Sequence, residues 1–103
     1  MDNNYYSILD DAEFRRRFRR TPLWRPKRRG ILRNAAIILG NQRSLGGLSA
    51  LERGLGDVEP LVRGACAWAL GQYDRPEARA ALQARLGVEN DAEVRQEIEA
   101  ALG

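Results

Sequence analysis

Histidine is absent from this chain and cysteine occurs once, at Cys66. One thiol and no imidazole cannot build a structural zinc site, a four-thiolate iron–sulfur site or a disulfide from the chain's own residues. Acid–base catalysis by imidazole is excluded as well. No apolar run approaches the ~20 residues of a membrane-spanning helix. The N-terminus, MDNNYYS, is neither basic nor apolar enough for a signal peptide. A cytoplasmic location with no membrane contact is the expectation. Acidic residues are missing from one stretch altogether: FRRRFRRTPLWRPKRRGILRN, Phe14 to Asn34, holds ten Arg or Lys and no Asp or Glu.

That local absence polarises the chain. Residues 1–43 carry 11 basic and 4 acidic side chains, whereas residues 44–103 carry 6 basic and 10 acidic, although the net charge of all 103 residues is only +3. Such asymmetry points to an anionic partner at one end and says little about fold. The carboxylates Glu52, Asp57, Glu59, Glu89, Asp91, Glu93, Glu97 and Glu99 fall where helix N-termini and solvated faces use them. Cys66 lies in the small, apolar run GACAWALG, which suits a buried structural thiol. An enzyme acting alone is not expected.

The chain also repeats itself. ILRNAAIILG (31–40), LVRGACAWALG (61–71) and EVRQEIEAALG (93–103) align on closing Leu-Gly pairs at 39–40, 70–71 and 102–103, spaced by 31 and then 32 residues. ALERGLGDVEPLVR (50–63) matches ALQARLGVENDAEVR (81–95) with one insertion. A period of this length with helix–turn–helix content indicates an α-solenoid, whose helix pairs bury their apolar faces against their neighbours. Asp10 and Glu13 have capping-box spacing for a helix of about 11–19, and Pro26, Pro60 and Pro76 occupy first-turn positions of later helices. Gly40, Gly71 and Gly87 read as stops. The pattern predicts six helices near 11–19, 26–39, 45–55, 59–70, 76–86 and 92–102, with no strand.

The expectation is therefore an all-α, short right-handed solenoid of about three antiparallel helix pairs, one domain over residues 1–103 with a basic hairpin at about 8–40. The expected core is Phe14, Phe18, Ile31, Ala35, Ile38, Leu51, Leu55, Leu61, Val62, Cys66, Trp68, Leu70, Leu82, Leu86, Val94, Ile98 and Leu102. Arg63 and Arg95, at matching positions, are expected to tie one repeat to the next through Asp57 or Asp91.

EPLVRGACAWALG resembles a HEAT-like repeat. The order DDAEFRRRFRRTPLWRPKRRGILRNAAIILGN, ALERGLGDVEPLVRGACAWALG, EVRQEIEAAL is similar, over about residues 8–103, to the C-terminal region of epoxyqueuosine reductase. EFRRRFRRTPLWRPKRRGILRNAAIILGN is its most specific part. That family completes queuosine in tRNA, using a cobalamin and two [4Fe–4S] clusters held by a separate N-terminal catalytic region. The Cys-rich cluster motifs have no counterpart here, so the resemblance carries over the fold and a tRNA-facing surface without the catalysis or the cofactors.

Helical geometry places Phe14 and Phe18 on one face and fans Arg15, Arg16, Arg19 and Arg20 over the other. In the next helix Ile31, Ala35 and Ile38 define the buried stripe, with Arg29 and Arg33 standing away from it. The turn supplies Trp24, Arg25 and Lys27, and Arg28 completes the run. The candidate RNA-contacting residues are thus Arg15, Arg16, Arg19, Arg20, Arg25, Lys27, Arg28, Arg29 and Arg33, suited to a phosphate backbone. Trp24 fits either base stacking or core packing. Two functional classes stay open. The first is a non-catalytic module binding a tRNA stem-loop for a catalytic reductase region in cis or in trans, with no DNA partner. The second is a HEAT-like protein–protein scaffold whose basic face grips an acidic partner. Purified, the chain is expected to bind neither cobalamin nor an iron–sulfur cluster. Iron assay and visible absorption check this, and a cluster retained at stoichiometric iron contradicts it.

Overall fold

Helix signals recur along the chain, and the structure, a computed structural model, describes residues 24–103. Five helices are found there: α1 (Trp24–Gln42), α2 (Leu45–Gly54), α3 (Pro60–Gly71), α4 (Pro76–Leu86) and α5 (Ala92–Leu102). They match the five later predicted helices, and no strand occurs among the described residues. The helix expected at 11–19, with Phe14 and Phe18, lies outside them. Pro60 and Pro76 open α3 and α4, where a missing N–H costs nothing. Asp91 caps α5 by accepting the Val94 N–H at 3.0 Å. No described helix is long and apolar enough to cross a membrane.

The helices form two layers. α1, α3 and α5 lie side by side in the same direction, and α2 and α4 run back behind them. Between the layers lie Leu32, Leu39, Leu51, Leu55, Val62, Cys66, Leu70, Leu82, Val94 and Ile98, all buried. Burying each large aliphatic side chain stabilises the fold by about 1.5–3 kcal/mol before chain entropy is counted.

The Leu-Gly pairs that define the period have a structural cause. A Cβ on Gly40 would stand 2.8 Å from the backbone and Cβ of Ala69, and one on Gly71 would stand 2.8 Å from the Cβ of Ala101. These glycines are where neighbouring helices of the front layer meet. Gly40 does not stop α1, which continues to Gln42. The chain leaves α1 through Arg43, at φ 54°, a sparsely populated region for a residue with a side chain. Tyr73 secures this turn from the next repeat: its buried hydroxyl donates to the Ser44 carbonyl at 2.8 Å, with the Leu39 carbonyl also within reach at 3.3 Å. Gly54 similarly admits Cys66, whose sulfur occupies the space a Cβ would need.

Several expected core residues sit elsewhere. The buried stripe of α1 is Arg28, Leu32, Ala35, Ala36 and Leu39, while Ile31 and Ile38 are only half-buried. The expected stripe was one residue out of register because Arg28 faces inward. Leu61 is 45% exposed and Trp68 half-buried, since none of the described helices lies over the front of α3. Leu86 and Leu102 are half-buried at the end of the array.

The loops are fastened by arginine. The Arg63 guanidinium donates through Nε and Nη2 to the two carboxylate oxygens of Glu89, both at 2.9 Å, and through Nη1 to the Asp57 carbonyl at 2.8 Å. Arg95 donates to the carbonyls of Leu86 and Glu89 at 2.9 and 3.0 Å. The expected tie between repeats therefore exists, with Glu89 in place of Asp91 as the carboxylate. Asp91 is already committed to capping α5.

Glu89 is buried. Burial alone would raise its pKa, but donation from Arg63, the Asp91 N–H and Arg85 outweighs that and brings it down to about 2. A carboxylate lowered in the folded state contributes stability that is fully present above its unfolded pKa and is lost as pH falls through the folded value. The expected outcome is a fall in urea-unfolding stability between about pH 5 and pH 2, with Glu89→Gln less stable at pH 7 and flatter across that acid range. Glycine substitutions give a second check. Gly40→Ala should destabilise by about 1–3 kcal/mol through overpacking. Gly64→Ala in mid-α3, whose Cβ would meet nothing within 4 Å, should stabilise by about 0.5–1 kcal/mol. Paired urea titrations measure both.

Candidate nucleic-acid interface

The basic run opens α1 unfavourably. Arg25, Lys27, Arg28 and Arg29 crowd the first turns, where the helix dipole is already positive and no acidic residue of the helix answers them. The answer comes from the α2–α3 loop. Asp57 and Glu59, two residues apart, are held together by the Asp57 carboxylate accepting the Glu59 N–H at 2.9 Å. Arg28 turns inward and pairs with Asp57 through both terminal nitrogens, Nη1 to Oδ2 at 3.1 Å and Nη2 to Oδ1 at 2.5 Å. Arg25 donates to Glu59 through Nε and Nη2, at 3.2 and 2.9 Å. Arg29 lies 3.9 Å from the other Glu59 oxygen.

The candidate residues thus divide. Arg28 is buried and spent on the fold, so it does not belong to an exposed basic face. The side chains of Arg25 and Arg29 remain 74% and 48% exposed, so each can reach beyond Glu59. Lys27 and Arg33 are exposed and have no carboxylate partner among the described residues; Arg33 donates to the Asn34 side chain at 3.2 Å. Arg25, Arg29 and Arg33, four apart, form one line along α1. Of these four exposed cations, Arg25 and Arg29 share the one carboxylate Glu59. Arg15, Arg16, Arg19 and Arg20 lie outside the described residues. Trp24 packs against the core cluster, partly buried.

The line ends at a groove that the sequence does not announce. Arg33 and Ile37 of α1 form one wall of this groove, which has a volume of about 520 Å³ and crosses the front layer. Leu61, Ala65 and Trp68 of α3 make its floor, and Glu93, Val94 and Glu97 of α5 its far wall. Its trace in the sequence was Leu61 and Trp68, assigned to the core on apolarity alone.

The described residues hold no candidate metal centre. Cys66 is buried and unpaired. Burial, with the nearby Asp57 charge adding to it, pushes its thiol up to about 12, so it stays protonated and unreactive at neutral pH. No group of three or more Cys, Asp or Glu comes together to hold a metal among the described residues. The donor set therefore does not fit an iron–sulfur cluster.

Comparison with known proteins agrees with this geometry. No curated protein matches the chain. Solved structures do. A selenomethionine-labelled epoxyqueuosine reductase superposes with a TM-score of 0.76, and the Bacillus subtilis epoxyqueuosine reductase with 0.77. An epoxyqueuosine reductase with an epoxyqueuosine-modified tRNA-Tyr stem-loop gives 0.78. Each is 30% identical over 95% of this chain, which spans only 27% of the reductase chain. The likeness expected from the basic run is thus shown for a part of that enzyme. The family model of HEAT repeats matches residues 28–103. With two layers of helices, Leu-Gly contacts recurring at the repeat period and that match over most of its length, the chain belongs to the HEAT-repeat family.

Proposed function

We propose that the chain is a non-catalytic HEAT-repeat module that binds a tRNA stem-loop, as part or partner of an epoxyqueuosine reductase-like enzyme in queuosine modification. The observation that carries this reading is the line Arg25, Arg29, Arg33 with Lys27, exposed on a helix that superposes on an enzyme also solved with a tRNA stem-loop. Arginine suits the role because its planar fork meets phosphate oxygens in pairs and stacks on unpaired bases. The tie to Glu59 supports it: a guanidinium oriented by a carboxylate loses less freedom on meeting a phosphate than a solvated one. A lone buried thiol cannot hold a four-thiolate iron–sulfur cluster, so in this reading the cluster chemistry of the enzyme belongs to a separate region.

Titration with an epoxyqueuosine-modified tRNA-Tyr stem-loop at low salt tests the proposal. Replacing Arg25, Lys27, Arg29 and Arg33 with Gln should weaken binding sharply and flatten the log–log salt dependence by about 0.7–0.9 for each phosphate no longer neutralised. Replacing Arg15, Arg16, Arg19 and Arg20 should weaken it further. Arg28→Gln should behave differently, lowering stability by roughly 3–5 kcal/mol as Asp57 is left without its buried partner, with the salt slope of the folded fraction unchanged. Equal affinity for wild type and the α1 variant removes this surface from RNA binding.

A further inference from the structure

The α1/α3/α5 groove differs in chemistry from the arginine line that leads to it. Its floor is apolar and open: Leu61 is 45% exposed, Ile37 36%, and the Trp68 ring is uncovered on this side. Space continues over Gly64, where an added Cβ would meet nothing within 4 Å. The volume, about 520 Å³, lies within the range of ordinary ligand pockets, ~300–1,000 Å³.

Its rim is charged unevenly. Glu93 and Glu97, one turn apart on α5, project on the same side and have no ion-pair partner among the described residues. That contrasts with Asp57, Glu59 and Glu89, each held by arginine. Across the groove stands Arg33. Two uncompensated carboxylates beside an aliphatic floor repel a polyanion and attract a cation with apolar surface attached. A phosphate backbone following α1 is turned away at α5.

We infer that this groove seats a segment of a protein partner in which apolar side chains are flanked by lysine or arginine. The apolar side chains cover Leu61, Ala65 and Trp68 while the cation meets Glu93 and Glu97. Arg33 takes a carboxylate or the C-terminal end of a helix on the opposite flank. This site shares Arg33 with the RNA reading but otherwise rests on α3 and α5 and needs no phosphate.

The test uses the full chain and two short capped peptides, one of leucine and lysine and the other of leucine and glutamate in the same order. The Trp68 indole N–H resonance, assigned through Trp24→Phe, reports occupancy. The leucine–lysine peptide should shift that resonance saturably and the leucine–glutamate peptide should not. Glu93→Lys with Glu97→Lys should weaken binding by about tenfold or more. The same change of net charge outside the groove, Glu52→Lys with Glu99→Lys, should leave it unchanged. Gly64→Leu, filling the groove from the open side of α3, should block the peptide while the helical circular dichroism persists. The inference is overturned if neither peptide moves Trp68, if both move it equally, or if the outlying charge changes weaken binding as much as those at the rim. It is equally overturned if the tRNA stem-loop or self-association of the chain accounts for the Trp68 shift. The RNA reading stands or falls separately, on the α1 variants.

Discussion

The pairing of Arg63 with Glu89 is the contact on which the array depends. Each repeat must place its helix against the next at one height and one angle, and apolar surfaces alone fix neither. Arg63 reaches back to the Asp57 carbonyl and forward to both Glu89 oxygens, linking the α2–α3 loop to the α4–α5 loop. Glu89 in turn accepts from Arg85 at 2.9 Å and from the Asp91 N–H at 3.0 Å. Among the described residues no buried side-chain polar atom is left without a hydrogen bond. A buried ion pair contributes little net stability over an apolar pair of the same shape, but losing one partner is costly. Its value here is register: only the native offset between α3 and α5 brings all of these donors and acceptors together.

Arg28 and Asp57 apply the same device one repeat earlier, with a consequence for function. The helix that carries the proposed RNA surface is positive where its own dipole is positive, so α1 is a poor helix start in isolation. Asp57 and Glu59 relieve this from the following loop, one neutralising a buried guanidinium and the other steadying two exposed ones. Fold and function therefore draw on the same run of residues. The inward cation anchors α1, while the outward ones stay exposed beside Glu59.

The architecture was legible because it is written in periodicity. The 31- and 32-residue spacing of the Leu-Gly pairs, the prolines at helix starts and the three-and-four spacing of Leu48, Leu51 and Leu55 each come from local geometry, and all five described helices follow from them. Side-chain direction was less legible. Nothing in RPKRRG distinguishes Arg28 from its neighbours; what draws it inward is Asp57, 29 residues away. Once Arg28 is inside, the apolar stripe of α1 moves by one position, exchanging Ile31 and Ile38 for Leu32, Ala36 and Leu39. Tyr73 was missed for the same reason, because its partner Ser44 belongs to the previous repeat. The groove was hidden by a different failure: an apolar residue in a repeat looks buried unless one knows that none of the described helices covers its layer, as with Leu61 and Trp68.

Repetition makes the front layer uniform in shape, but its charge is not repeated. At α1 the exposed residues are Arg25, Arg29 and Arg33; at α5 the corresponding rim is Glu93 and Glu97, and α3 between them offers Leu61, Ala65 and Trp68. A surface that runs from cationic through apolar to anionic has a direction, and a polyanion laid along it is accepted at one end only. The fold imposes no such gradient, since Arg63 and Arg95 occupy equivalent positions in α3 and α5 and are both consumed by the loops, Arg63 by a carbonyl and the Glu89 carboxylate and Arg95 by two carbonyls. The gradient is carried by rim residues outside the buried core, with Arg25 and Arg29 tied to Glu59 and Glu93 and Glu97 without an ion-pair partner among the described residues. Apolar packing of the array does not require this segregation by sign, which is why the proposed RNA surface and the proposed peptide groove lie at opposite ends of one face.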